Sequence, residues 1–186
     1  MHQTDEYLLE MAIQGDGGSF GALVQRWEGK IYGFIRRYVG DREDARDLTQ
    51  NTFVKAYQHL DRLSNPAYFS AWLYKIALNE CRMCFRRRKG SRAVPLEETQ
   101  REVDEQERVE VLPDRTFEGR ERVQQLTEAF QLLPPEQREV ILMKEFQGLR
   151  FQDIAAVLDI PLSTAKSRLY LGLKTLRRLM EERHDL

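Results

Sequence analysis

Apolar residues recur along this chain at steps of three and four, the period of an amphipathic helix. No segment alternates apolar and polar positions as a half-buried strand would. The pattern predicts a helix over about Asp5 to Gln14, ended by the glycines of GDGG. A second runs from Ser19 to about Val39, with Phe20, Leu23, Val24, Trp27, Ile31, Phe34 and Ile35 on one stripe, and Gly40 with Asp41 stops it. A third, from about Asp41 to Leu60, turns Ala45, Leu48, Thr52, Phe53, Ala56, Tyr57 and Leu60 inward. DRLSNP breaks the period. Asn65 suits an N-cap and Pro66 the first helical position. The fourth helix then reaches about Lys89 and buries Phe69, Trp72, Leu73, Ile76, Ala77 and Cys84.

Periodicity lapses after that and returns near Val123. The remainder reads as four helices broken at Pro134-Pro135, at Gln147-Gly148 and at Asp159-Ile160-Pro161. In the last pair, the first helix buries Phe151, Ile154, Ala155 and Leu158. The second buries Ala165, Leu169, Leu173, Leu176 and Met180. The expected fold is therefore all-α: a helical domain over residues 1–92, a linker over 93–122, and a second helical domain over 123–186.

Charge sharpens this division. The 186 residues sum to a net charge of −1, yet the charges are sorted. Six basic residues and no acid lie between Cys81 and Arg92, and five basic residues and no acid between Ser163 and Met180. Between Leu96 and Glu121 ten acids face four bases, the composition of a solvated tether. No window reaches the roughly 18 apolar residues of a membrane span, and the N-terminus lacks the basic start and apolar run of a signal peptide. Two cysteines without an export signal point to the reducing cytoplasm.

Three segments carry candidate chemistry. The last helix exposes Ser163, Thr164, Ser167, Tyr170, Leu171, Lys174 and Arg178, flanked by Lys166 and Arg168. A helix N-terminus offers free N–H groups to a phosphate, flanking cations hold the backbone, and central residues meet base edges. A plain core pair with a solvated basic face has the same pattern. The fourth helix interleaves Tyr68, Phe69, Trp72 and Tyr74 with a basic tail, a pairing suited to unstacked bases and the strand that carries them. Phe69 and Trp72 read as core, whereas Tyr74, Asn79 and Arg82 lie off that apolar face. The third helix gathers Asp44, Asp47, Asn51, Lys55 and Gln58 on a polar face. Its acidic first turn suits the helix dipole, and a protein partner would use the same surface. Cys81 and Cys84 form C-x-x-C on a predicted helix without a second pair, and the three histidines are scattered, so no metal, cofactor or catalytic constellation is expected.

In this order, DREDARDLTQNTFVKAYQHL, FSAWLYKIALNECRMCFRRRK and LLPPEQREVILMKEFQGLRFQDIAAVLDIPLSTAKSRL resemble the signatures of the bacterial extracytoplasmic-function sigma factors. The resemblance covers about Ser19 to Lys89 and Leu126 to Met180. It implies a subunit, not an enzyme, that binds core RNA polymerase, directs it to promoters and helps open the duplex. By position it assigns Asp44, Asp47, Leu48, Gln50, Asn51 and Phe53 to the polymerase clamp. It assigns Leu63, Ser64, Asn65, Pro66, Ala67, Tyr74, Lys75, Asn79 and Arg82 to the minus-ten element. Ser163, Thr164, Lys166, Ser167, Arg168, Tyr170, Leu171 and Lys174 fall to the minus-thirty-five element. It also implies an anti-sigma factor or other regulator as partner. The alternative is a helix–turn–helix regulator binding an operator as a dimer.

Two departures from the family pattern stand out. Leu171 occupies a position where the family usually has Arg. Leucine cannot form a bidentate contact to guanine but can pack on a thymine methyl. Arg46 and Asn51 stand where Glu is usual, which raises the expectation that phosphorylation of Thr49 or Thr52 restores negative charge there.

Overall fold

The computed structural model describes residues 3–91, 125–126 and 128–184, so the expected linker over 93–122 lies outside the described residues. Among the described residues every regular element is helical. The longer helices are α1 (Asp5–Ile13), α2 (Gly17–Val39), α3 (Arg42–Gln58), α4 (Phe69–Ser91), α5 (Pro135–Ile141), α6 (Phe151–Leu158) and α7 (Leu162–His184). Residues 128–132 form a further helical segment before the Pro134-Pro135 break.

Local chemistry explains the boundaries. The side chains of Thr4, Asp16 and Asp41 accept from the backbone N–H groups of Tyr7, Gly18 and Asp44, capping α1, α2 and α3. Gly40 ends α2 with φ 78°, a left-handed conformation that glycine enters without steric cost. Asn65 accepts from the N–H of Ala67, as expected, but the turn Pro66–Tyr68 it starts is a 3₁₀ turn, and α4 begins only at Phe69. The proline break leaves helix-end carbonyls without partners. Arg138 takes them: its guanidinium donates to the carbonyls of Gln131 (2.6 Å) and Leu133 (3.1 Å).

The N-terminal helices pack around aromatic side chains. Trp27 meets Phe69 and Tyr74 edge-on at 5.8 and 6.3 Å, and Phe34 meets Tyr74 at 5.4 Å. Such pairs contribute roughly 0.5–1.5 kcal/mol each beyond area burial. The Trp27 indole N–H donates to Asp5 at 2.9 Å, which ties α1 to α2. In the C-terminal group α5 and α6 each pack on α7, and α7 crosses α5 closely at Gly172. The two groups are not separate: α6 packs on α4, and one apolar core runs from Leu8 to Leu169.

Three core assignments change. Tyr57 is exposed, and Thr49 takes the inward position on α3 instead. Leu173 is exposed, because the contact with α5 is made by Gly172 and rotates the buried stripe. Tyr74, expected off the apolar face, is 2% exposed, because α4 is covered from two sides. Thr49 and Thr52 are also buried, their hydroxyls donating to the carbonyls of Ala45 (2.6 Å) and Leu48 (2.7 Å). That removes the expectation of phosphorylation, since neither oxygen faces solvent.

Candidate nucleic-acid interface

The loop between α3 and α4 and the first turns of α4 form one candidate surface. Ser64, Asn65 and Ala67 are exposed, Pro66 is half-buried, and Leu63 is buried beneath them. Leu63 thus anchors the loop and is not a surface contact. Lys75 and Asn79 are exposed on α4. Beside them a mostly apolar cleft is lined by Arg62, Leu63, Tyr68, Trp72, Lys75 and Val157. Exposed Tyr68 and half-buried Trp72 offer ring faces, and Arg62 and Lys75 offer cations at the rim. Rings with flanking cations suit unpaired bases on a phosphate chain. Arg62 was not singled out from the sequence; its only signal was a basic residue within DRLSNP.

Two members of the expected set are engaged elsewhere. The Tyr74 hydroxyl donates to Oε1 of Gln147 at 2.8 Å, and burial pushes its phenol above the ordinary value. Arg82 donates through Nε and Nη2 to both carboxylate oxygens of Glu139, at 2.9 and 2.6 Å. That hydrogen bond raises the guanidinium still higher. The expectation that Tyr74 stands free is therefore corrected. Gln147 reaches it because a π-helical turn, Leu142–Phe146, extends α5 and closes with the Gln147 N–H on the Leu142 carbonyl. Nothing in the local pattern of LMKEFQG marks that turn.

The second surface is the N-terminal half of α7. Asp159 turns the chain before it at φ 56° and ψ 51°, and the Ile160 N–H closes on the Ala155 carbonyl at 3.1 Å. Ser163, Lys166, Ser167 and Lys174 are exposed, and Thr164 and Arg168 are half-buried. Tyr170 is 68% and Leu171 54% exposed, so two large apolar side chains stand at the centre of a basic face. The Ser167 hydroxyl turns back to the Ser163 carbonyl at 2.9 Å, and the Lys166 ammonium lies 5.9 Å from the Phe151 ring centre. Farther along, Arg177 pairs with Glu181 and Arg178 with Glu182. The cationic character is thereby concentrated towards the helix start.

The α3 surface divides as well. Asp47, Gln50 and Asn51 are exposed, and Asp44 is half-buried in an ion pair with Arg88. Leu48 and Phe53 are core residues, so as direct surface contacts they are corrected: they hold the helix, and the exposed face beside Gln50 carries Val54 and Tyr57 instead.

Cys81 is buried and Cys84 half-buried, both free, and burial raises both thiols. Among the described residues no group of three or more His, Cys, Asp or Glu could hold a metal. No described helix is long and apolar enough to cross a membrane.

Family models match twice: Sigma-70 region 2 over residues 23–91 and Sigma-70 region 4 over residues 123–176. The chain is 32% identical over 173 residues to the RNA polymerase sigma-H factor of Pseudomonas aeruginosa, covering 90% of this chain and 89% of that protein. It is 32% identical to the ECF RNA polymerase sigma-E factor of Escherichia coli K12, with the same coverage. Among solved structures, that of CnrH in complex with the cytosolic domain of CnrY aligns at a TM-score of 0.72 and 25% identity, over 97% of this chain and 99% of that one. The sigma factor RpoE in complex with the anti-sigma factor NepR from Bartonella quintana shares the fold at a TM-score of 0.66 and 23% identity, over 87% and 96%.

Proposed function

The chain belongs to the sigma-70 family, in its extracytoplasmic-function branch, and from that premise we propose that it is an alternative sigma factor. It binds core RNA polymerase, selects promoters and helps open them; it is not an enzyme. The observation that carries this is the sorting of side chains: rings and cations around one cleft, and a basic helix start on another surface of the same molecule. Residues 1–92 form the minus-ten and polymerase-binding part, 123–186 the minus-thirty-five part, and the acidic stretch 93–122 the strap between them.

In this reading the loop Ser64–Ala67 with Arg62, Tyr68, Lys75 and Asn79 meets the opened strand, and rings stack on its bases. Ser163, Lys166, Arg168 and Lys174 hold duplex phosphates, while Ser167, Tyr170 and Leu171 face base edges. Asp47, Gln50 and Asn51, with Val54 and Tyr57, form the polymerase contact. The relatives' names and the double match support this reading and leave the dimeric operator-binding regulator without support. The two structural neighbours were each solved with a partner, CnrY and the anti-sigma factor NepR, which supports an anti-sigma protein as partner here. The protein acts in the cytoplasm, beside the polymerase.

The test is transcription by purified core polymerase with and without this protein, with 5′ ends mapped across genomic template. New starts sharing two upstream elements are expected. An unchanged set of starts would refute the assignment.

A further inference from the structure

The first helix, α1, lies outside both segments that match the family models. It nevertheless packs against the 3₁₀ turn Pro66–Tyr68, which joins the strand-reading loop to α4. In its first turn Asp5 accepts from the Trp27 indole N–H at 2.9 Å, and its other carboxylate oxygen accepts from Arg26. Arg26 also donates to the Gln3 carbonyl at 2.9 Å. The Lys30 ammonium stands 4.5 Å from the centre of the Trp27 ring. Trp27 in turn meets Phe69, the first residue of α4, edge-on at 5.8 Å, and Phe69 meets Trp72 at 6.2 Å. Trp72 lines the cleft. A chain of contacts thus runs from a carboxylate on α1 to a ring at the reading surface.

A three-residue 3₁₀ turn has few hydrogen bonds of its own to hold its shape. The Tyr68 N–H closes on the Asn65 carbonyl at 3.0 Å, and the Asn65 side chain caps the turn. Its remaining support comes from the helices it leans on, α1 and α4. A loop that must be ordered while it captures a strand loses affinity to that ordering, and a loop already held does not. Asp5 fixes one end of this support. A buried indole N–H without an acceptor is costly, so the Trp27 ring keeps the orientation in which Asp5 receives it. Asp5 itself is half-buried at a helix start, where its loss opens no core cavity but orphans the indole N–H.

We propose that α1 is a brace for the minus-ten reading surface, and that Asp5, acting through Trp27 and Phe69, is a positioning residue for capture of the opened strand; this deepens the sigma-factor reading and rests on it. The brace touches neither the exposed α3 face nor α7, so it acts on strand capture alone.

The experiment uses full-length Asp5→Ala, Asp5→Asn, Trp27→Phe and the double variant Asp5→Ala with Trp27→Phe, each assembled with core polymerase. Circular dichroism confirms that each is folded at the assay temperature. Anisotropy reads holoenzyme binding to a fluorescent single strand carrying the mapped minus-ten sequence, and permanganate reads unpaired thymines on duplex promoter. Competition for core polymerase and protection of the upstream element report the functions that the brace does not serve. Asp5→Ala should weaken strand binding about fivefold, the value of one hydrogen bond, and lower thymine reactivity, with core affinity and upstream protection unchanged. Asp5→Asn keeps an acceptor for the indole and should stay within about twofold of wild type, since the partly exposed pair with Arg26 contributes little. Trp27→Phe keeps a ring but has no N–H to give, so it should weaken capture as Asp5→Ala does, and the double variant should be no worse than either alone. A folded Asp5→Ala protein that captures the strand like wild type, one that loses core affinity and upstream protection to the same degree, or additive single effects would overturn the proposal. Wild-type holoenzyme that selects no promoter would instead refute the functional reading itself.

Discussion

The Tyr74 hydroxyl is bonded to Gln147, 73 residues away, and its ring packs edge-on against Trp27 and Phe34. A side chain that the local pattern places on an open face is thus part of the core. Tyr74→Ala should lose about 3–5 kcal/mol of stability, as aromatic truncations in a core do. Tyr74→Phe removes only the hydroxyl and should lose about 1 kcal/mol. Chemical denaturation followed by circular dichroism checks both. Equal effects would mean that the ring is not packed.

Alkaline pH should unfold the protein through buried tyrosines. Burial raises the phenols of Tyr38 and Tyr74, and Glu139 raises Tyr38 further. In the unfolded chain these groups release protons from about pH 10, whereas the folded chain retains them. Stability linked to them is therefore full below about pH 10 and falls as pH rises beyond it. Absorbance at 295 nm should show part of the tyrosinate signal appearing together with the loss of helicity, and Tyr38→Phe should reduce that part. A tyrosinate signal completed before any helix is lost would contradict this.

Gly172 permits a close approach of α7 to α5. A Cβ there would stand 2.9 Å from Ile141 Cδ1 and 3.1 Å from Gln137 Cβ, both within the packed crossing of α5 and α7. Gly172→Val should lose about 2 kcal/mol or more through overpacking, despite valine's better helix propensity. Thermal unfolding measures it; an unchanged midpoint would mean that the crossing adjusts freely.

Leu171 and Tyr170 present apolar surface where the proposed interface meets base edges. In the major groove the apolar base edge is the thymine methyl. Replacing thymine by uracil at the contacted step of the upstream element should weaken holoenzyme binding about fourfold, the value of one buried methyl group. Leu171→Arg should shift preference towards guanine at that step, read by selection from a randomised upstream element. Indifference to both changes would place Leu171 away from the bases.

The sequence by itself determined the all-helical character of the described residues, the breaks at Pro134, Gly148 and Pro161, and the Asn65 cap. These depend on neighbours within a turn or two, where period, proline and capping chemistry act. It also marked the exposed residues Ser163, Lys166, Ser167, Tyr170, Leu171 and Lys174, because among the described residues nothing packs over that face of α7. What only the tertiary structure decided was how far around each helix burial extends. Tyr74 is covered because α6 packs on α4 and Gln147, just after the π-helical turn, reaches its hydroxyl from outside the N-terminal bundle. Leu48 and Phe53 face inward because α3 lies against both α2 and α4. Glu139, a charged residue between Arg138 and Val140, finds its partners only when two distant segments meet. A helical period records one apolar stripe; it does not record a second neighbour arriving from a distant part of the chain.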